Sequence, residues 1–481
     1  MRQNCHSILK WSLLTGTSTI LLKLCYETFL RSAITTTNRS ASTYENTLTS
    51  WASTGKRSIA SPTRLVDTKL RDDLQLIGAQ IYFRHGARTP LHLLPGIEEI
   101  SYSKEHIESY PFSKWDIKLI TKLGNNVVSR DKISSANDII GDRVRHLKVE
   151  IKPNNEKKTV HFQSSSGDRV VTGQLTALGE KQLYELGKTI RKEIIKEDGS
   201  GLIPTVYDPK IVYCRSTFMD RTVASARSFL AGLFSSSEKG DKIQAKGAFE
   251  IEVHNFPDED MFPNSHAYPI LKKCLTAVQL YSSLHDDHDL KKARQALIDR
   301  IGVSDYSDGI LELYDDIVSR QAHNFSIPKD FSELTKDFEV MSAREFVSMA
   351  TSIGFDVFIR ATCGPLLYLM RENFDSIAKN YLENNENKSY QKLFLYSGHD
   401  TTLVPLAMAL EIFDMRWPKY ASHILMKYFI SKTNPKETYV AVNYAGEPQI
   451  LPNCDSYYCP YSTLMGNLQN RFEKPKVINK H

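Results

Sequence analysis

The chain has 481 residues, a length that allows two or three domains or one large α/β enzyme with insertions. Hydrophobic residues make up 41% of it and aromatic residues 10%, which excludes a wholly disordered chain. The net charge of +5 arises in residues 1–60, where seven basic residues face two acidic ones, so the rest is neutral. This neutral body lacks the clustered basic and aromatic residues of a nucleic-acid-binding protein.

Residues 1–60 differ in composition from the rest of the chain. They contain 20 Ser and Thr residues and few acids, which is typical of an organellar transit peptide and predicts a mitochondrial location. A secretory signal leading to a lysosomal or secreted protein is one alternative, and an N-terminal membrane anchor is another. Trp11–Leu24 would be the apolar core of either. Polar residues interrupt this stretch, and it is shorter than the ~20 apolar residues of a membrane span.

The first predicted strand, Leu76–Phe83, is an apolar run that ends abruptly in the sequence RHGAR. Such a strand delivers two guanidiniums, Arg84 and Arg88, and the imidazole of His85 to its carboxyl end, where α/β proteins place their chemistry. Gly86 would let the backbone turn sharply and approach a ligand. These residues predict a site for a doubly charged oxyanion beside a nucleophile.

Two further segments precede the middle of the chain. Residues 91–172 are polar and rich in lysine, and we expect them to form an insertion after the first strand. A helix is predicted near Thr176–Ile195, followed by a second strand that ends at Arg215 and leads into another helix. Arg221 in that helix is interpreted as a structural ion-pair partner.

The second half of the chain contains a helical region and a third strand. Residues 236–350 are predicted to form a mostly helical cap, with helices at Ala293–Ile301 and Gly309–Gln321. The third strand begins at Leu393 and ends in His399 and Asp400. A helix should follow it, with Thr401 or Thr402 as its cap and Pro405 in its first turn.

Strands that alternate with helices predict an α/β fold, with a mostly parallel sheet covered by helices on both faces and a smaller helical cap domain. The catalytic core would comprise residues 61–235 and 351–470. Parallel strands place their carboxyl ends at one edge of the sheet, so six side chains are expected to converge there. These are Arg84, His85, Arg88, Arg215, His399 and Asp400.

The chemistry of this set suits a phosphate monoester. Its two negative charges need neutralising before a nucleophile approaches, and arginines can do this without a metal ion. A neutral His85 can attack phosphorus, and Asp400 can protonate the leaving alkoxide. The segment His285–Asp289 invites a metal-binding interpretation, but a solvated acidic loop is the simpler one.

The sequences RHGARTP, CRSTFMDR and SGHDTT, in this order, resemble the motifs of the histidine acid phosphatase family. The resemblance implies a phosphoglycerate-mutase-like fold and no cofactor. It makes His85 the phosphorylated nucleophile and Asp400 the proton donor. The phosphate-binding residues that it implies are Arg84, Arg88, Arg215 and His399.

Further segments, such as Gly173–Gly187 and His399–Pro418, resemble the family members that act on lysophosphatidic acid. This implies hydrolysis of a small-molecule lysophospholipid to monoacylglycerol and phosphate, and leaves peripheral membrane contact open. A broad-specificity acid phosphatase or a phytase is the alternative. Residues 241–350 contain 12 basic and 20 acidic side chains, which disfavours a polyanion such as phytate. A non-catalytic phosphate-binding protein would need neither a nucleophile nor an acid.

Cysteine usage adds one structural expectation. The body contains five cysteines, an odd number that excludes a complete disulfide framework, and no paired spacing that suggests zinc. Cys454 and Cys459 bracket a short loop and are the plausible local disulfide. Trp115 and Trp417 are interpreted as core anchors.

Overall fold

The computed structural model describes most of residues 68–475 and none of residues 1–60. The predicted helix Ala293–Ile301 and the acidic segment His285–Asp289 also lie outside the described residues. The described ranges are 68–91, 100–123, 126–131, 162–163, 169–170, 172–236, 242–272, 310–327, 329–383 and 389–475.

A large mixed sheet forms the centre of the fold. The strands are β1 (Leu74–Arg84), β2 (Ile117–Leu123), β3 (Asn126–Asp131), β4 (Phe162–Gln163), β5 (Arg169–Val170), β6 (Val212–Ser216), β7 (Phe249–Val253), β8 (Leu393–Gly398), β9 (His423–Ser431), β10 (Thr438–Tyr444), β11 (Glu447–Gln449) and β12 (Cys459–Pro460). Strands β4 and β5 form a separate pair. The order across the main sheet is β11-β10-β9-β1-β8-β6-β7-β2-β3, and β12 pairs with β10.

The central strands β1, β8, β6, β7 and β2 run parallel to one another. Antiparallel strands extend both edges, with β9 beside β1 and β3 beside β2. The predicted α/β class is confirmed. The sheet is mixed rather than mostly parallel because short connections after β9 and β10 return the chain in the opposite direction.

Helices and short connections follow the strands. The helices are α1 (Thr68–Asp73), α2 (Lys104–Ile107), α3 (Ala177–Ile194), α4 (Asp220–Leu233), α5 (Ile310–Ala322), α6 (Lys329–Ile353), α7 (Phe355–Thr362), α8 (Gly364–Leu382), α9 (Asp400–Ala409) and α10 (Tyr461–Leu468). Helices α3 and α5 confirm the helices predicted near Thr176–Ile195 and Gly309–Gln321. No helix among the described residues combines the length and apolar character needed to cross a bilayer.

Helices cover both faces of the sheet. Successive side chains of a strand point to opposite faces, so β1 contacts a different helix on each side. On one face of β1, the ring of Phe83 stacks on that of Phe229 in α4, with 4.7 Å between centroids. On the other face, the buried amide of Gln80 donates to the carbonyl of Met370 in α8 at 2.9 Å. Eight of the eleven residues of β1 are buried continuously from Ile77, as expected for a strand covered on both sides.

Two predicted boundaries need correction. Strands β2 and β3 lie in residues 91–172, the predicted insertion, yet they extend the main sheet. Strand β7 lies in residues 236–350, the predicted cap, yet it pairs between β6 and β2. Charged residues interrupt the apolar pattern of these strands, as Glu250 and Glu252 do in β7, and this conceals them in the sequence.

Two local features can be compared with the sequence. Cys454 and Cys459 form the expected disulfide. Helix α9 has His399 as its N-cap, two or three residues before the predicted cap at Thr401 or Thr402, and the hydroxyl of Thr402 accepts the backbone N–H of His399 at 2.9 Å. Pro405 therefore lies beyond the first turn.

Candidate active site

The RHGAR segment leaves β1 at the centre of the sheet and is fixed by backbone contacts. The N–H of His85 donates to the carbonyl of Gly398 at 3.0 Å, which ties the segment to the end of β8. Gly86 lies directly against Gly179 in α3, and a Cβ on either residue would overlap the backbone of the other segment. Glycine is therefore required here for the close approach of two chains.

His85 is buried and presents one ring nitrogen for chemistry. Its Nδ1 lies 2.9 Å from the carbonyl of Gly86 and must carry the proton, because a carbonyl oxygen only accepts. Burial lowers the pKa of His85 well below its ordinary value, and Arg221, Arg88 and Arg84 lower it further. The ring is therefore neutral at physiological pH, and its Nε2 carries a free lone pair.

Arg84 connects the first strand to the proton-donor candidate. Its Nη2 lies 2.8 Å from Oδ2 of Asp400, and its Nη1 donates to the carbonyl of Pro418. The guanidinium also lies over the ring of Tyr420, 4.5 Å from the centroid. These contacts hold a buried charge in one orientation.

Asp400 lies at the first turn of α9, where several donors converge on its carboxylate. The N–H of Thr401 donates to Oδ1 at 2.7 Å, and the indole of Trp417 donates to Oδ2 at 3.1 Å. Burial alone would raise the pKa of Asp400, but Arg84 and Arg88 outweigh it and hold the pKa below its ordinary value. Without a bound anion the carboxyl group is therefore ionised at neutral pH.

His399 stands edge-on to His85, with 5.6 Å between the ring centroids. Its Nε2 lies 3.0 Å from the hydroxyl of Thr217, which follows β6. Burial lowers the pKa of His399 well below its ordinary value, and Arg221 lowers it further. This second imidazole can donate a hydrogen bond to an anion without adding a permanent charge.

Arg88 is the second cation of the RHGAR segment, and a carboxylate from outside the sheet holds it. Its Nη2 lies 2.6 Å from Oδ1 of Asp315 in α5, and its Nη1 lies 3.3 Å from Oδ2. Burial lowers the pKa of Arg88, but the Asp315 carboxylate outweighs it and raises the pKa above its ordinary value. Sequence reasoning missed Asp315 because 227 residues separate it from Arg88 and no local motif marks it.

These side chains line one pocket of about 230 Å³. It contains five of the six predicted site residues: Arg84, His85, Arg88, His399 and Asp400. Trp417, interpreted from the sequence as a core anchor, also lines it.

Arg215, the sixth predicted residue, is not among the described residues that line the pocket. It is 1% exposed, and its Nη2 contacts both Asp260 and Glu259, the latter at 3.0 Å. The prediction that Arg215 binds phosphate therefore needs correction. The carboxylates after β7 hold its guanidinium away from the described pocket lining.

Arg221 lines the pocket instead, contrary to its interpretation as a remote ion-pair partner. It is the second residue of α4, so the turn after β6 returns it to the sheet edge. Burial lowers its pKa to about 9, and the nearby Arg88 contributes to the decrease. A position in the first turn of a helix that follows a central strand was the signal that could have identified it.

Metal binding has no support among the residues that the structure describes. No group of three His, Cys, Asp or Glu side chains is arranged there to hold a metal ion. Among the described residues, the cationic side chains that line the pocket are guanidiniums.

Comparison with known proteins places these residues in context. The sequence profile of the Histidine phosphatase superfamily (branch 2) matches residues 75–445. Lysophosphatidic acid phosphatase type 6 of Mus musculus is 27% identical over 404 residues, covering 83% of this chain and 85% of that protein. Prostatic acid phosphatase of Homo sapiens is 29% identical over 315 residues, covering 61% and 76%. A Hafnia alvei phytase in complex with myo-inositol hexakis sulphate aligns with a TM-score of 0.49 at 13% identity, covering 83% of this chain and 98% of the phytase.

The two arginines outside β1 should respond differently to substitution. We expect Arg215→Gln to lower the free energy of unfolding by about 3–5 kcal/mol, because it leaves Glu259 and Asp260 buried without their cation. We expect Arg221→Gln to leave thermal stability close to wild type but to abolish stabilisation by added inorganic phosphate. Thermal unfolding with and without phosphate measures both effects. A full phosphate-induced shift in Arg221→Gln would remove Arg221 from the anion site.

Proposed function

The chain belongs to branch 2 of the histidine phosphatase superfamily and is a phosphatase, and we propose that it hydrolyses lysophosphatidic acid to monoacylglycerol and phosphate through a phosphohistidine at His85. One observation carries this proposal: a single pocket combines three arginines beside a neutral histidine with a wall of apolar side chains. The cations suit one phosphate group, and the wall suits a hydrocarbon chain.

The first chemical step uses the lone pair on Nε2 of His85. Attack on phosphorus forms a nitrogen–phosphorus bond and breaks the ester bond, so the electron pair of that bond leaves on the alkoxide. The contact between Nδ1 and Gly86 supports this role because it fixes the reactive tautomer. Water then attacks the phosphohistidine, which releases phosphate and restores the neutral ring.

Arg84, Arg88 and Arg221 stabilise the phosphoryl oxygens in this proposal, and His399 donates a further hydrogen bond. Each lines the pocket, and Arg84 and Arg88 are already buried, so little reorganisation accompanies the reaction. We assign to Arg221 the phosphate-binding role that the sequence suggested for Arg215. A well-placed donor of this kind stabilises the transition state by about 3 kcal/mol.

Asp400 supplies the proton to the leaving alkoxide and then accepts one from the attacking water. In the pocket without an anion, the contact with Arg84 favours the ionised form. A bound phosphate shares the guanidinium and adds negative charge nearby, and both effects raise the pKa of the carboxyl group. Substrate binding thus favours the protonated donor that the reaction requires.

The apolar wall supports a substrate with an acyl chain. Leu311 and Val318 lie on α5, Leu91 follows the RHGAR segment, and Phe262 and Met219 complete the wall. Leu91 is also 39% exposed, so this part of the wall is open to solvent. The names of the type 6 relatives support the same substrate class, whereas the similarity to prostatic acid phosphatase keeps broad acid phosphatase activity as the second candidate.

The catalytic assignment can be tested with two variants. We expect His85→Ala to reduce turnover at least about a thousandfold and to abolish the phosphoenzyme trapped by rapid quenching, since the nucleophile is lost. We expect Asp400→Asn to form phosphoenzyme with an aryl phosphate but not with an alkyl phosphate, because only the poor leaving group needs a proton. His266→Ala, at an exposed histidine, serves as the control. Equal loss on both substrates in Asp400→Asn would contradict the role as proton donor.

Substrate preference provides a separate test. We expect kcat/KM for lysophosphatidic acid to exceed that for phytate at least about tenfold, or ~1.4 kcal/mol in transition-state stabilisation. Leu311→Gln should lower kcat/KM for lysophosphatidic acid, presented as monomers, while leaving that for glycerol 3-phosphate unchanged. If phytate is the better substrate at the same pH, the lipid assignment falls, whereas the phosphohistidine assignment does not.

Location is a further part of the proposal. We infer that residues 1–60 direct the protein to mitochondria, on the basis of their basic, hydroxyl-rich and acid-poor composition. A fluorescent protein fused after residue 60 should colocalise with a mitochondrial marker, and replacing the seven basic residues with Gln should abolish this. Accumulation of the unaltered fusion in the secretory pathway would instead support the signal-peptide alternative.

A further inference from the structure

The pocket contains a second carboxylate that the proposed reaction does not use. Asp315 lies on α5, on the same helix as the wall residues Leu311 and Val318. Its carboxylate contacts Arg88 at 2.6 and 3.3 Å and accepts the backbone N–H of Leu91 at 2.6 Å. The side chain is 11% exposed and borders the space that a substrate must enter.

The charge balance of the pocket depends on this residue. Its charged lining, within the described part of the chain, consists of three guanidiniums and two carboxylates, with both imidazoles neutral. One net positive charge therefore faces an entering phosphate. Without Asp315 there would be two, and a second anionic group beside Arg88 would meet no negative charge on α5.

We propose that Asp315 restricts the site to substrates with a single anionic group. Its carboxylate occupies Arg88 from the side of the cap helix and repels a second phosphate that approaches the wall beside the first. A neutral neighbour, such as a hydroxyl or a hydrocarbon chain, meets no such penalty. This inference deepens the proposed function, because it rests on phosphate binding at Arg84, Arg88 and Arg221.

The repulsion should be large enough to measure. Two like charges separated by a few ångströms in a partly buried site interact far more strongly than in bulk water, where solvent weakens the interaction. Added salt screens an exposed pair but reaches a buried one less easily. A change of at least about tenfold in substrate preference is therefore expected when the charge of Asp315 is removed.

A purely structural role would give a different result. Asp315 also anchors α5 to the backbone at Leu91, so a substitution could loosen the cap and reduce all activity. Asp315→Asn has nearly the same shape and retains one oxygen that can accept from Leu91. Asp356→Asn is a matched control, because Asp356 pairs with another buried arginine, Arg471, and does not line the pocket.

The experiment compares fructose 6-phosphate with fructose 1,6-bisphosphate, which differ by one phosphate group. We expect wild type and Asp356→Asn to share the same ratio of kcat/KM values, with the monophosphate preferred. Asp315→Asn should shift that ratio at least about tenfold toward the bisphosphate, mainly through KM. Thermal unfolding of each variant, measured in parallel, reports any loosening of α5.

A second variant keeps the inference falsifiable if Asp315→Asn does not fold. Val318→Lys adds a cation one turn along the same helix wall and should shift the ratio in the same direction. An unchanged ratio in the folded variants, or an equal loss on both substrates with a lower Tm, would overturn the inference. If the enzyme does not prefer lysophosphatidic acid but Asp315→Asn still shifts the ratio, the proposed substrate is contradicted and this inference is not.

Discussion

The mutual repulsion of buried guanidiniums is the constraint on which this site depends. Arg84, Arg88 and Arg221 line one small pocket, and concentrating such charges away from water is costly unless carboxylates or an anion compensate. The fold supplies Asp400 from α9 and Asp315 from α5, each paired with one guanidinium. The remaining positive charge makes an anionic ligand favourable.

The same constraint sets the protonation states in the pocket. Burial already disfavours a charged imidazole, and the neighbouring arginines add to this effect at His85 and His399. The guanidiniums also lower the pKa of Asp400, but for a carboxyl group this favours the charged form. One group of cations thus maintains neutral imidazoles beside an ionised carboxylate. An entering anion would raise the pKa of that carboxyl group.

The sequence predicted the parts of this site that share a simple physical pattern. Strands β1 and β8 are apolar runs that end in charged residues, so Arg84, His85, His399 and Asp400 could be located at one sheet edge. Arg215 followed the same pattern, but the position of its side chain depends on ion pairs with Glu259 and Asp260. These two residues lie 44 and 45 residues further along the chain. Asp315 was unpredictable for a similar reason, since its position follows from how α5 meets the RHGAR segment. The antiparallel edges of the sheet were also missed, because their strands are placed by pairing with β1 and β2 and carry no local motif of charged residues.

The position of β1 in the sheet has a consequence for synthesis of the protein. Its two neighbours, β8 and β9, begin more than 300 residues later, so an apolar strand of eleven residues leaves the ribosome long before either partner exists. Contacts so distant along the chain slow folding and prolong the exposure of unpaired strand edges. His85 directly follows this strand, and its pocket can therefore assemble only after nearly the whole chain has been made. Truncated translation products would contain the most recognisable motif of the sequence and yet have no active site.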